Sequence, residues 1–250
     1  MPVRDAACLM ANRRIRKEED VITIHGDPLS VHTRKVIVTA ILKDIDYQLV
    51  IPDRPPPSRR KPSPDELIPA LQDNDFALTD STAICLYLEN KQPSPTILPG
   101  DISACGRALW FNAYADGTLF RNVVQPLFYQ TIVAPKIRRV PSDIKLIDQI
   151  FKEVQPSIFG YLESQIDGQF LVGDAMTLAD IAIASNFIVY QYIGYNVDVA
   201  RYPKLGKYLR GVAENEAFGK ALDNEKPFVA TMGLDRSFLD RFSFIHQFAA

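Results

Sequence analysis

Apolar and polar residues alternate in short runs over the first third of the chain and recur at helical spacing over the rest. Val21-Ile22-Thr23-Ile24 reads as a strand, ended by Gly26-Asp27-Pro28. From Ser30 the apolar positions Val31, Val36, Ile37, Ala40 and Ile41 follow a helical period, with Arg34 and Lys35 between them. Tyr47-Gln48-Leu49-Val50-Ile51 is a second strand, and a β-α-β order favours a parallel pair joined by a right-handed crossover. Pro52 to Pro64 holds six prolines and four basic residues, Arg54, Arg59, Arg60 and Lys61, so no regular helix survives there and an exposed, extended loop is expected. Ile68 to Leu71 and Phe76 to Leu78 form a hairpin across Asp73-Asn74-Asp75, and Asp80 opens a helix carrying Ala83, Ile84, Leu86 and Leu88.

Gln92-Pro93-Ser94-Pro95 through Pro99-Gly100 is a linker by composition. Beyond it, amphipathic helical stretches run from Ile102 to Thr131, Ser142 to Ile166, Thr177 to Tyr195 and Lys204 to Leu222. Thr177-Leu178-Ala179-Asp180 resembles a capping box. The residues behind it are apolar on nearly every face, which predicts the central buried helix. After Lys226 the signals are mixed, and Phe238, Phe242, Phe244 and Phe248 are placed to pack back on the body. The fold class is α/β plus all-α, a βαβ-ββα domain followed by a helical one. The expected divisions are an unstructured extension at 1–20, a first domain at 21–92, a linker at 93–101, a helical domain at 102–225 and a tail at 226–250.

Bulk properties narrow the function classes. The 250 residues are 47% hydrophobic and 23% charged, ordinary for a globular chain. A net charge of -2 argues against a nucleic-acid partner. No apolar run reaches the roughly 18 residues of a membrane helix, so no membrane is expected. Cys8, Cys85 and Cys105 are odd in number and lack metal-ligand spacing, which points to a reducing, cytoplasmic setting with no metal and no disulfide framework. Met1 to Asp20 is polar and lacks the apolar core of a secretory signal.

The candidate chemistry sits between Leu67 and Leu86. Proline cannot donate to a sheet ladder, so Ile68-Pro69 fits a sharp edge or a cis bond, with the Ile68 backbone free to pair with something other than sheet. Asp80 and Ser81 stand at a helix N-terminus, where a carboxylate can take an ammonium and the helix end an anion, so together they suit a zwitterion. A plain helix cap explains the same two residues.

Three segments carry a family resemblance. Gly26-Asp27-Pro28-Leu29-Ser30-Val31-His32-Thr33-Arg34-Lys35-Val36 is similar to the serine-containing first turn of phi- and theta-type glutathione transferases. Ile68-Pro69-Ala70-Leu71 through Asp80-Ser81-Thr82-Ala83-Ile84 resembles the family's V-P-A-L…E-S-x-A-I segment. Phe170-Leu171-Val172-Gly173-Asp174 with Thr177-Leu178-Ala179-Asp180 resembles its helix-capping motif, followed by Tyr202-Pro203-Lys204-Leu205. Their order spans residues 21 to 222. The chain departs from the family where a proline-rich loop replaces the short second helix, where Leu67 replaces a polar residue, and where Asp80 replaces the commoner Glu.

The resemblance implies a thioredoxin-like first domain, glutathione as substrate without a metal, a small hydrophobic electrophile as co-substrate, a homodimer and a role in detoxification. It makes Ser30 the donor to the thiolate, against the plainer reading of an N-cap. Ile68 would pair through its main chain beside Pro69, Asp80 and Ser81 would hold the γ-glutamyl end, and Arg59, Arg60 or Lys61 (we take Lys61) the glycine carboxylate. Trp110 and Tyr114 are candidates for the electrophile pocket, against ordinary core packing; His32 is a candidate there too, or could approach the sulfur, against simply facing solvent. The same resemblance admits dehalogenation or hydroperoxide reduction. It also admits a non-catalytic interaction module. A cysteine-centred redox protein is disfavoured, because no cysteine lies near the first helix start.

Overall fold

Glycine at position 26 is what lets the first strand turn tightly into the first helix. In the computed structural model, which describes residues 21–52 and 68–235, a Cβ on Gly26 would lie 2.5 Å from Thr33 Oγ1 and 2.7 Å from its Cγ2. Thr33 is wholly buried and stiff at its branched Cβ, so the clash cannot relax by rotation. Gly26→Ala is therefore expected to destabilise by about 1–3 kcal/mol, read as a lower urea midpoint at unchanged slope, and Thr33→Ala in that background to recover part of the loss.

The first domain is thioredoxin-like. Strands β1 (Ile22–His25), β2 (Tyr47–Val50), β3 (Ala70–Asp73) and β4 (Phe76–Thr79) form one sheet in the order β2-β1-β3-β4. β1 runs parallel to β2, with Ile22 opposite Tyr47, and antiparallel to β3, with Ile24 opposite Leu71. Helices α1 (Val31–Leu42) and α2 (Ser81–Lys91) complete it. α1 is rich in β-branched residues, which are poor helix formers, so packing rather than propensity holds it. Every residue from Thr33 to Ala40 is buried. It lies between α2 on one side and the helices Leu178–Tyr192 and Glu216–Met232 on the other. That position explains a feature the sequence pattern hid: Arg34 and Lys35, between the apolar positions, face another domain rather than water.

The second domain is helical. A continuous helical run covers 102–138, alternating α-turns with wider π-turns at Ala115–Val124 and Tyr129–Arg138. It ends at Arg139, whose φ is 56°. The helix Leu178–Tyr192 is the centre of the molecule, buried at every residue but Gln191. The predicted stretch Lys204 to Leu222 is two helices, Pro203–Ala213 and Glu216–Met232, because Asn215 caps a new start by accepting from Ala217 N at 2.9 Å. The second of these continues past Lys226, with Val229 buried.

The linker is held at both ends. Lys43, the wholly buried residue that caps the C-terminus of α1, donates to the carbonyls of Gln92 and Pro95 and lies 2.5 Å from Glu89. Glu89 in turn accepts from Ile97 N and from the Thr96 hydroxyl. Ile97 O then accepts from Leu178 N at 2.9 Å. No helix among the described residues is long and apolar enough to cross a membrane. The extension 1–20, the basic proline-rich loop with Arg54, Arg59, Arg60 and Lys61, Leu67, and the phenylalanines from Phe238 onward lie outside the described residues.

Candidate functional site

Ser30 and Asp80 each cap a helix of the first domain. Ser30 is extended, at φ -69° and ψ 132°, and its Oγ accepts the Thr33 N–H at 3.4 Å. As an acceptor in that bond, the hydroxyl keeps its own O–H to donate. Asp27 shapes the turn before it, its Oδ1 accepting from Leu29 N at 2.8 Å. Asp80 Oδ1 accepts from Thr82 N and Ala83 N at 2.9 and 3.0 Å, which leaves Oδ2 outside the cap, and the side chain is exposed. Asp80 has φ 75° and ψ 122°, a region that costs an L-residue about 1–3 kcal/mol and persists where surrounding structure enforces it, often at a binding site. Ser81 is buried directly behind it.

The Ile68–Pro69 bond is cis, as the sequence pattern allowed. The β1–β3 ladder reaches only to Ala70, opposite His25, so Ile68 stands beyond the paired residues. Pro69 is buried and Ile68 half-buried.

A polar network ties these caps to the second domain. Lys35 Nζ, wholly buried, donates to Thr82 Oγ1 at 3.2 Å, Asn112 Oδ1 at 2.9 Å and Asp116 Oδ2 at 2.5 Å. Asn112 Nδ2 donates back to Thr82 Oγ1 at 2.9 Å. His32 Nδ1 lies 3.4 Å from Asp116 Oδ1, and its ring meets Phe120 edge-on at 4.8 Å. Burial acts to raise the Asp116 carboxyl, but His32 and Lys35 outweigh it and hold the group below the usual carboxylate range. Asp116 and Asn112 were not singled out from sequence; they enter through contacts across the domain seam, and no local pattern announces those.

Trp110 and Tyr114 are placed elsewhere. They stack on one another at 5.2 Å and both pack on Tyr161, at 5.7 and 5.2 Å. Two residues turn an α-helix by about 200°, so both sit across the helix from Asn112, the residue that meets α1. The structure thus brings His32 near the Ser30 cap, while Trp110 and Tyr114 form an aromatic cluster within the second domain. Burial, with Tyr161 nearby, pushes the Tyr114 phenol up to about 12. Cys85 is wholly buried 3.3 Å from Thr39 Oγ1, and burial pushes its thiol up to about 11, which suits an inert core residue.

Comparison with known proteins accounts for both domains. The model of the glutathione S-transferase N-terminal domain matches residues 24–96, and that of the C-terminal domain matches 138–224. A glutathione S-transferase of Triticum aestivum is 29% identical over 212 residues, covering 82% of this chain and 94% of that protein. Glutathione S-transferase hmp2 of Hypomyces subiculosus is 26% identical over 216 residues, covering 80% and 97%. The crystal structure of a glutathione S-transferase from Rhodospirillum rubrum superposes with a TM-score of 0.71 at 26% identity, covering 80% of this chain and 91% of that one. With both domain models in order and relatives matched over nine-tenths of their length, the chain belongs to the glutathione S-transferase superfamily.

Proposed function

We infer that the protein is a glutathione transferase that binds glutathione in its first domain and ionises the thiol at Ser30. The observation that carries this reading is the Ser30 cap: its Oγ accepts the Thr33 N–H, so its O–H is left to donate to sulfur at the positive end of α1. A free thiol titrates near 8.5, and bringing it to about 6.5 takes roughly 2.7 kcal/mol of preferential thiolate binding. A hydroxyl and a helix end together are of the right size to supply it. Asp80, through Oδ2, would take the γ-glutamyl ammonium, Ser81 and the α2 N-terminus the adjoining carboxylate, the Ile68 main chain the cysteinyl part, and Lys61 the glycine carboxylate. The thiolate then attacks a small hydrophobic electrophile held against the second domain. Displacement of halide and reduction of a hydroperoxide would use the same sulfur.

The test is the thiolate absorbance of bound glutathione across pH. Wild type should show thiolate at neutral pH. Ser30→Ala should raise the midpoint by about two units and lower kcat/KM toward a model electrophile about 10²-fold. Loss of the cap itself adds about 1 kcal/mol of destabilisation, too little to unfold the protein. Glutathione bound as thiol in wild type, or an unchanged midpoint in Ser30→Ala, would sink the mechanism. Failure to bind glutathione at all would favour the non-catalytic module. A homodimer belongs to the same reading and is checked by sedimentation.

A further inference from the structure

The network around His32 does more than join two domains. His32 is the second residue of α1, two positions after the Ser30 cap, and helical side chains lean toward the N-terminus. Its neighbours hold it in one orientation. Phe120 meets the ring edge-on, and Nδ1 lies 3.4 Å from Asp116 Oδ1, a charge contact rather than a formed hydrogen bond; both atoms are buried and neither has a hydrogen-bond partner. A carboxylate facing Nδ1 keeps the proton on that nitrogen and leaves Nε2, across the ring, with a lone pair. The imidazole keeps 27% of its surface open. Asp116 is set to stay charged: its other oxygen takes the Lys35 ammonium.

We propose that His32, backed by Asp116, accepts the proton that glutathione's thiol gives up on binding. The S–H bond breaks, its electron pair stays on sulfur, and an N–H bond forms at His32 Nε2. The product is a thiolate and an imidazolium, the first held by the Ser30 hydroxyl and the second by Asp116. The charged groups around the ring balance this pair. Asp116 favours the imidazolium. The α1 N-terminus and Lys35 oppose it, with Lys35 already paired to Asp116 and Arg34 turned away to Glu225. The inference rests on the glutathione reading above, and it assigns a destination for the proton, which Ser30 as a donor cannot provide.

Proton counting separates this from a structural role. Glutathione is titrated calorimetrically at pH 7 into the full chain in buffers of low and high ionisation enthalpy. If His32 takes the proton, wild type releases close to none. His32→Gln keeps an amide to face Asp116 but cannot accept a proton; with the thiolate midpoint raised by about one unit, to about 7.5, it ionises about a quarter of its bound thiol at pH 7 and should release that fraction to the buffer. Equal proton counts and equal midpoints in the two proteins overturn the proposal and leave the glutathione reading intact. No binding heat in wild type overturns both. Should His32→Gln fail to fold, nitrogen-15 NMR of wild-type histidines decides: among His25, His32 and His246, the His32 ring must move to the imidazolium pattern when glutathione binds, and an unmoved ring refutes the idea.

Discussion

Glu225→Ala should destabilise the protein by about 3–5 kcal/mol, because it strands a charge inside the molecule. Arg34 is wholly buried, and Glu225 is 2% exposed. The guanidinium binds the carboxylate through two bonds, Nε to Oε1 at 2.6 Å and Nη2 to Oε2 at 2.7 Å. Nη1 donates to Ser185 O at 2.9 Å, and the Tyr192 hydroxyl donates to Glu225 Oε2 at 2.8 Å. Burial lowers the Arg34 pKa, yet the charge and hydrogen bonds of Glu225 outweigh that and hold it above its ordinary value. Without Glu225 the desolvation of Arg34 remains and its compensation is gone. Urea unfolding should show the loss as a lower midpoint at unchanged slope. The double change Arg34→Met with Glu225→Leu removes both charges and should recover most of it, since a buried pair is often no better than well-packed apolar groups. A double mutant as unstable as Glu225→Ala would mean that packing, not stranded charge, sets the loss.

Asp180→Ala is the second large effect, roughly 3–5 kcal/mol. Four donors converge on this one buried carboxylate: Leu171 N at 2.9 Å, Thr177 N at 2.8 Å, Thr177 Oγ1 at 3.0 Å and the Tyr208 hydroxyl at 2.9 Å. Burial pushes the Asp180 carboxyl above its ordinary value despite these donors, and it drives the Tyr208 phenol well up. Alanine leaves two N–H groups, the Thr177 hydroxyl and a phenol without this acceptor in a buried site, and it removes the Asp180 half of the capping box at the central helix. For a chain of this size each kcal/mol lowers Tm by roughly 2–4 °C, so a drop on the order of 10 °C is expected. Asp180→Asn keeps an acceptor oxygen and should fall between. A drop of only a few degrees in Asp180→Ala would show that these donors find other partners.

Local chemistry was legible in the sequence. Ser30 before Val31 and Asp80 before Ser81 were visible as caps because capping needs only neighbours. Ile68-Pro69 was visible because proline sits badly in a strand, and the Leu178–Tyr192 helix because it is apolar all round. What lay hidden depends on residues far apart. Arg34, Lys35 and Lys43 look like the solvent face of a helix, yet their partners are Glu225, Asp116 and Glu89 on other elements. Asp116 and Phe120 reach His32 only once the second domain folds against α1. The placement of Trp110 and Tyr114 turned on helical phase relative to Asn112, which sequence spacing alone did not anchor. The break before Glu216 carried a readable signal in Asn215, but the apolar period on either side masked it.

The anchored linker has a mechanical consequence. Lys43 pins the linker to the first half through Pro95, so swinging one half of the molecule against the other would break the Leu178–Ile97 bond and the Arg34–Glu225 clamp together. The two halves therefore move as a single stiff unit. The spacing between the start of α1 and Asp116 is preset before any ligand arrives, and the geometry needed for reaction is built during folding rather than assembled by closure.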